Sequence, residues 1–318
     1  MRYSSAYKVQ YDIRPAKQTE RRLLLDILRA AADVGFNLRQ YKYIGFGGFK
    51  FYDFEMLFRH LGIRDMTSIE VDESLFARCR FNKPFSFINF EEGDLGDYLD
   101  RTIFLKPLIA WLDYDSHVSD KVVEDIRTAS AKAPVGSFVF VTIDARMPDG
   151  IRDLNPAERL AAIRHEYKDF ALVVTSEELE PNKYPLFAER VVWSALVESL
   201  SKRLDGVFVP IIRVFYKDTA PMVTVGGCLC NVNRSASLRS RMRRDFRFLV
   251  PTQSAAPYTI PSFNLTVRER QLLDRAVTRQ NRKDILRKSL SRLGFTATEV
   301  NNYKRMVRFV PKYFESYI

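Results

Sequence analysis

The sequence predicts an α/β fold with a mostly parallel sheet, a terminal antiparallel hairpin and a small helical C-terminal extension. Three features of its 318 residues support this prediction. Apolar strand-like runs alternate with helical patterns, which is typical of a parallel sheet covered by helices on both faces. A crowded glycine turn follows the first run. Near the C-terminal end of the pattern, two apolar runs follow each other with no helix between them.

The first elements are a helix, a strand, a glycine turn and a second helix. Residues 16–34 carry apolar side chains at helical spacing, and Gly35 follows as a C-cap. The strand that starts near residue 41 ends in the turn Gly45-Phe46-Gly47-Gly48. Residues 51–62 then return to a helical period. This order predicts a strand, a tight turn and a helix that packs back on the sheet.

The same alternation continues to residue 230. Asn155, followed by Pro156 and by Glu158, gives a strong helix start. The other predicted elements are strand 66–73, helix 74–82, strand 85–94, strand 107–116, helix 120–133, strand 136–146, helix 187–204 and a hairpin over 207–230.

The C-terminal part differs in charge. From Val232 to the end there are 19 Lys and Arg against 6 Asp and Glu, so this part carries a charge of +13, more than the net charge of +11 of the whole chain. Residues 250–264 have the composition of a linker or extended arm, and capping boxes at Thr266 and Thr296 each precede a helical segment. We therefore predict a domain over 1–235 and a basic linker with a helical subdomain over 236–318.

Composition excludes several classes of protein. The chain has no apolar run near the roughly 20 residues that cross a bilayer, and its start has no secretory signal pattern. We therefore expect a cytoplasmic protein with no membrane partner. The three cysteines and three histidines lack zinc-ligand spacing, so the cysteines are interpreted as core residues.

Candidate ligand-binding residues lie where the predicted parallel strands end, because open α/β sheets bind ligands there. Gly45, Gly47 and Gly48 let the backbone approach a ligand closely, although turn geometry alone also explains glycine. Glu70 ends the second strand, where a carboxylate can accept both hydroxyls of an adenosine ribose. Asp94 follows the third strand, where it can meet an adenine amino group, and Glu92 competes for that role.

This order of residues resembles the class I S-adenosylmethionine-dependent methyltransferases, over residues of about 38–231. The resemblance implies a Rossmann-like sheet and S-adenosylmethionine as cofactor, with Gly45 and Gly47 at its methionine part, Glu70 at the ribose and Asp94 at the adenine. Two positions depart from the family pattern: Tyr43 stands where an acidic residue is usual, and Phe49 where a third glycine is usual. A dehydrogenase is the lesser choice, because Lys50 replaces the last glycine of its turn.

The end of the fourth strand faces the transferred methyl group in the resembling family. Asp113, Tyr114 and Asp115 occupy it here, so they are the candidate catalytic residues for aligning a nucleophile or removing its proton. No metal site is expected, although Asp113 with Asp144 would suit a magnesium-dependent oxygen-methylating enzyme. A purely structural Asp113 that caps a helix is the alternative.

The basic C-terminal segment interleaves cations with aromatic residues, a pattern that suits nucleic acid. A solvated helix face or a contact between copies of the chain explains it equally well. The candidate nucleic-acid-binding residues are Arg241, Arg243, Arg244, Arg247, Lys283 and Lys288.

The sequence thus predicts an S-adenosylmethionine-dependent methyltransferase whose acceptor it does not identify, with nucleic acid and an oxygen nucleophile as candidates. The alternative is a non-catalytic nucleotide-sensing or nucleic-acid-binding module that retains the methyltransferase fold.

Overall fold

The computed structural model describes residues 14–167, 173–217, 219–249, 256–278 and 290–311. Its strands are β1 (Lys42–Gly45), β2 (Asp65–Glu70), β3 (Ile88–Glu92), β4 (Leu108–His117), β5 (Phe138–Asp144), β6 (Val207–Lys217), β7 (Pro221–Cys230) and β8 (Tyr258–Thr259). Its helices are α1 (Pro15–Ala32), α2 (Tyr52–Leu61), α3 (Glu73–Asn82), α4 (Leu95–Arg101), α5 (Asp120–Lys132), α6 (Asp149–Arg152), α7 (Pro156–Tyr167), α8 (Tyr184–Ser201), α9 (Val232–Asp245), α10 (Val267–Thr278) and α11 (Ala297–Met306).

The strands form one sheet in the order β3-β2-β1-β4-β5-β7-β6-β8. Strands β1 to β5 run parallel to one another. Strand β7 runs antiparallel to both β5 and β6. These pairings confirm the predicted α/β class, with its parallel sheet and terminal antiparallel hairpin. The order reverses between β1 and β4, which is where such sheets bind ligands.

Helices cover both faces of the sheet. Buried residues of α1, α2, α3 and α9 pack on one face, and those of α4, α5, α7 and α8 pack on the other. On α1 the apolar stripe includes Leu24, Leu28 and Ala31, all of which are buried. This packing lays the first two turns of α1 beside the carboxyl ends of the central strands. All three cysteines are buried thiols, as expected for core residues.

The strand-to-helix turns are fixed by helix caps. The side chains of Asp72, Asp94 and Ser119 accept hydrogen bonds from backbone N–H groups at the starts of α3, α4 and α5. The predicted cap at Asn155 is confirmed, since its side chain accepts from the N–H of Glu158 at 3.0 Å. None of the described helices is both long and apolar enough to cross a membrane.

The C-terminal part is more closely joined to the sheet than the sequence suggested. Strand β8 lies in the predicted extended arm and pairs in parallel with β6, with Tyr258 opposite Val214. Helix α9 buries Leu238 and Met242 in the same cluster as α1. The predicted boundary at 235/236 falls inside α9, and the division into two domains stays a prediction. Helices α10 and α11 do share a small separate cluster around Leu273 and Tyr303.

Candidate active site

A cavity of about 700 Å³ lies at the carboxyl ends of the parallel strands. It is lined by the turn after β1, by residues that follow β2, β3 and β4, by the start of α1 and by the β6–β7 connection. The cavity therefore spans the point where the strand order reverses. Among the predicted cofactor-binding residues, its lining includes Gly47, Gly48, Glu70 and Asp94.

The glycine turn is tightly packed on the side of the protein interior and open on the side of the cavity. Gly45 lies below the cavity, where a Cβ would come within 2.6 Å of the Tyr43 hydroxyl. At Gly47, which lines the cavity, a Cβ would lie 2.6 Å from Ser68 Oγ and 2.9 Å from Phe51 Cδ1. Gly48 has a φ of +50°, in the left-handed region that glycine adopts easily. The turn thus requires glycine for packing at two positions and for backbone conformation at the third.

We expect Gly47→Ala to lower the free energy of unfolding by about 1–3 kcal/mol, because the added methyl overlaps Ser68 and Phe51. It also disturbs the hydrogen bond that the Gly47 N–H donates to Ser68 Oγ at 3.1 Å. Gly48→Asn is the matched comparison, since asparagine tolerates positive φ and no atom lies within 4 Å. Urea denaturation measures both variants, and equal stability of the two would contradict the packing argument.

Glu70 ends β2 and is half-buried at the cavity wall. Its Oε1 accepts a hydrogen bond from the Asp72 N–H at 2.9 Å, which fixes the direction of the carboxylate. Burial raises the pKa of Glu70, and the N–H of Asp72 partly opposes that shift. The second strand therefore presents an oriented carboxylate at the position where a ribose is expected.

Asp94 lines the cavity beyond β3, while its competitor Glu92 is exposed and ion-paired with Arg80. Asp94 Oδ1 accepts from the Gly96 N–H at 2.7 Å and from Lys121 Nζ at 2.6 Å. Burial acts to raise the pKa of Asp94, but the hydrogen bond and charge of Lys121 and the N–H groups of Gly96 and Asp97 together outweigh it, so the pKa is lowered. Of the two residues left open by the sequence, the structure places Asp94 at the cavity.

The three predicted catalytic residues at the end of β4 point to different surroundings. Asp113 faces α1, where Lys17 Nζ lies 2.6 Å from its Oδ1. The Tyr114 hydroxyl donates to Asp125 of α5 at 2.8 Å, on the other face of the sheet. Asp115 is exposed at the cavity mouth. Asp113 is therefore the member of this group that joins the cavity to the buried interior.

Asp113 belongs to a buried charged cluster that the sequence reasoning did not identify. Lys17 also lies 2.7 Å from Glu20, and Arg21 Nε lies 2.6 Å from Asp53 of α2. Burial raises the pKa of Asp113 to about 6, against the opposing effect of the Lys17 ammonium. We call Lys17, Glu20, Arg21, Asp53 and Asp113 the α1 cluster.

A signal for the α1 cluster exists in the sequence. Lys17, Glu20 and Arg21 lie three and four residues apart and continue the same helical stripe as Leu24 and Leu28. Charged residues at the start of a buried stripe require partners inside the protein. The sequence alone does not name those partners.

The magnesium alternative needs Asp113 and Asp144 to face a metal. In the structure Asp113 pairs with Lys17, and Asp144 accepts from Arg146 Nε at 2.9 Å. Within the described part of the chain, no group of three His, Cys, Asp or Glu residues is arranged to hold a metal ion. Both carboxylates therefore already face a cation, and the expectation of no metal site, with magnesium as its alternative, stays a prediction.

The four predicted nucleic-acid-binding residues that the structure describes are not part of the cavity lining. Arg241 is paired with Asp33 and Asp245, whereas Arg243, Arg244 and Arg247 are exposed. Lys283 and Lys288 lie outside the described residues. The aromatic part of the pattern differs from expectation: Phe246 is 1% exposed, and Phe248 packs against Tyr258. Nucleic-acid binding by this surface stays a prediction that depends on its arginines.

Comparison with known proteins gives a family. A family model described as "Putative O-methyltransferase" matches residues 9–318. No curated protein matches the chain.

Solved structures with a similar fold are distant in sequence. The N-methyltransferase NodS from Bradyrhizobium japonicum WM9, in complex with S-adenosyl-L-homocysteine, is 15% identical with a TM-score of 0.40, over 69% of this chain and 90% of that one. An O-methyltransferase from Bacillus cereus is 12% identical with a TM-score of 0.41, over 70% and 86%. TomG from Streptomyces achromogenes is 16% identical with a TM-score of 0.39, over 71% and 87%. At these scores the acceptor of this chain does not follow from the likeness.

Proposed function

The chain belongs to this O-methyltransferase family, and we propose that it transfers the methyl group of S-adenosylmethionine to an oxygen atom of its acceptor. The observation that carries the proposal is one cavity of about 700 Å³ in which the glycine turn, Glu70 and Asp113 all take part. The proposal places the reaction in the cytoplasm, the location that the sequence predicts.

The residues around the cavity fit this cofactor. The cavity volume lies in the ordinary range for ligand sites. Its lining contains eight carboxylate side chains and six cationic ones, so its charge favours a ligand with a positive sulfonium. Gly47 lines the cavity where the methionine part would lie, and Glu70 lines it where the ribose hydroxyls would lie. Asp94 and Leu95 line the end where the adenine would lie.

The cofactor supplies an electrophilic methyl group, so the protein must align an oxygen nucleophile and accept its proton. Asp113 is suited to the second task, because a base with a pKa of about 6 is mostly ionised at neutral pH. Methyl transfer should therefore slow as the pH falls through the pKa of Asp113. Lys17 holds the carboxylate in place from the side of α1.

We expect Asp113→Asn to reduce kcat by about 10²–10⁴-fold while S-adenosylmethionine still binds, because the amide cannot take the proton. The wild type is first incubated with labelled S-adenosylmethionine and a panel of phenols, aliphatic alcohols, carboxylic acids, RNA and DNA. Mass spectrometry of the products identifies the methylated atom. The variant is then measured with the best acceptor, and the exposed Asp153→Asn is the matched control.

Two outcomes would contradict the proposal. Methylation confined to nitrogen atoms would exclude an oxygen acceptor. Binding of S-adenosylmethionine without transfer to any member of the panel would support the non-catalytic module instead.

A further inference from the structure

The α1 cluster is buried although it consists of charged side chains. Lys17 is 4% exposed and Glu20 is 0% exposed. Fully buried charges are costly unless other groups pair with them and complete their hydrogen bonds. Glu20 accepts hydrogen bonds from two strands at its Oε1, while its Oε2 has the ion pair with Lys17 and no hydrogen bond within the described residues.

Glu20 is held by the sheet as well as by α1. Its Oε1 accepts from Thr142 Oγ1 of β5 at 2.9 Å and also from Thr224 Oγ1 of β7. Its Oε2 lies 2.7 Å from Lys17 Nζ. The same ammonium lies 2.6 Å from Asp113 Oδ1. Lys17 is therefore shared between a carboxylate that is locked in the interior and one that reaches the cavity.

The charges of the α1 cluster do not balance. Three carboxylates face two cations, so the cluster carries one excess negative charge when all of its members are ionised. Asp113 is 20% exposed, whereas the side chains of Glu20 and Asp53 are 0% and 8% exposed. A proton or a positively charged ligand that neutralises the excess charge can therefore arrive most directly at Asp113.

We propose, on the basis of the proposed function, that Lys17 and Glu20 are positioning residues for Asp113. Because Glu20 shares Lys17 with Asp113, it allows the Asp113 carboxylate to take up one positive charge. During the reaction, that positive charge is the proton that leaves the oxygen nucleophile. When the cofactor is bound, it is the positive charge of the neighbouring sulfonium. In the transfer, the new O–CH₃ bond forms as the S–CH₃ bond breaks. The electron pair of that bond goes to sulfur, and the acceptor's proton goes to a carboxylate oxygen of Asp113.

Other charged and titratable groups near Asp113 also affect its protonation. The titratable and charged groups that face it in the described residues are Lys17, Glu20 and Arg21 from α1, Tyr43 from β1, Asp53 from α2 and Tyr216 from β6. Arg21 is bonded to Asp53, and the two tyrosine hydroxyls are neutral near pH 7 because burial raises their pKa. Lys17 and Glu20 are therefore the two residues whose charges can adjust the protonation of Asp113.

The test is proton release on cofactor binding, which needs no acceptor. S-adenosylmethionine is titrated into the protein by calorimetry between pH 5 and 7, in two buffers with different ionisation enthalpies. We expect the wild type to release a proton fraction that is largest near the pKa of Asp113, about 6. S-adenosylhomocysteine, which lacks the sulfonium charge, should release less. Asp113→Asn gives the baseline, because the cofactor's own ammonium group also titrates, with a pKa of about 8.

The two positioning residues should act in opposite directions. Glu20→Gln removes a negative charge and should move the maximum of proton release to lower pH by about one unit. Lys17→Met removes a positive charge and should move it to higher pH by about one unit. Asp26→Asn, on the same helix and paired with Arg29 at 3.3 Å, is the matched control and should leave the maximum unchanged.

A structural role alone would change stability without moving this maximum. An unmoved maximum in Glu20→Gln overturns the inference, as does wild-type release that persists in Asp113→Asn. If Glu20→Gln does not fold, it will fail to bind S-adenosylhomocysteine at pH 7, and the test then uses Lys17→Met. A pH of maximal proton release that is the same in Lys17→Met as in the wild type overturns the inference. No binding of S-adenosylmethionine by the wild type contradicts the proposed function and this inference together, whereas binding with an unmoved maximum contradicts the inference alone.

Discussion

Replacing Glu70 by glutamine is expected to weaken S-adenosylmethionine binding by about 100-fold or more. Hydrogen bonds to a charged group contribute about 1.5–3 kcal/mol each, and a ribose offers two hydroxyl donors to one carboxylate. A loss of about 3 kcal/mol corresponds to a little over 100-fold in Kd. The amide keeps one acceptor oxygen and turns two N–H donors toward hydroxyls that need an acceptor. Isothermal titration with S-adenosylmethionine measures the effect.

The control and the pH dependence make this prediction specific. Glu73→Gln changes an exposed carboxylate three residues away and should leave Kd unchanged.

Since burial raises the pKa of Glu70, protonation of this carboxylate begins at a higher pH than for an ordinary glutamate. Cofactor affinity should therefore be full above that pKa and fall as the pH drops through it. A Kd for Glu70→Gln within about threefold of the wild type would mean that the ribose lies elsewhere.

The parts of the site that sequence predicted are those fixed by local structure. A glycine turn after an apolar strand, and an acidic residue at the end of the next strand, are both readable from neighbouring residues. Gly47 and Glu70 line the cavity because parallel strands bring their carboxyl ends to one edge. The different directions of Asp113 and Tyr114 also follow from the alternation of side chains along a strand.

The parts that were missed depend on contacts between distant segments. Lys17 meets Asp113 across 96 residues, and Glu20 meets Thr224 across 204. No local pattern states that the first helix will lie beside β4 and β7, so the sequence does not identify the partners of its charged residues. Strand β8 is a similar case, because two residues of an extended arm become a strand only where β6 leaves an edge to pair with.

The second large effect concerns the hairpin that completes the sheet. Gly226 lies on β7 between two strands, opposite Phe140 on β5 and Ile212 on β6. A Cβ at Gly226 would overlap the Phe140 ring and lie 2.8 Å from the backbone oxygen of Val139. The side chain of Phe140 is 1% exposed, so its ring has no open space to move into. Glycine here is required by close packing inside the sheet.

We therefore expect Gly226→Ala to lower the free energy of unfolding by about 3 kcal/mol, at the upper end of overpacking costs, because a backbone atom cannot rotate away from the added methyl. Thermal and urea denaturation of the purified protein measure the loss. Gly150→Ala is the matched control: it lies in helix α6 with no atom within 4 Å of the new methyl, and alanine favours helix more than glycine does. The control should be neutral or slightly stabilising. If Gly226→Ala were as stable as Gly150→Ala, β5 and β7 would have to be able to move apart, and the position of Thr142 and Thr224 around Glu20 would then not be rigid.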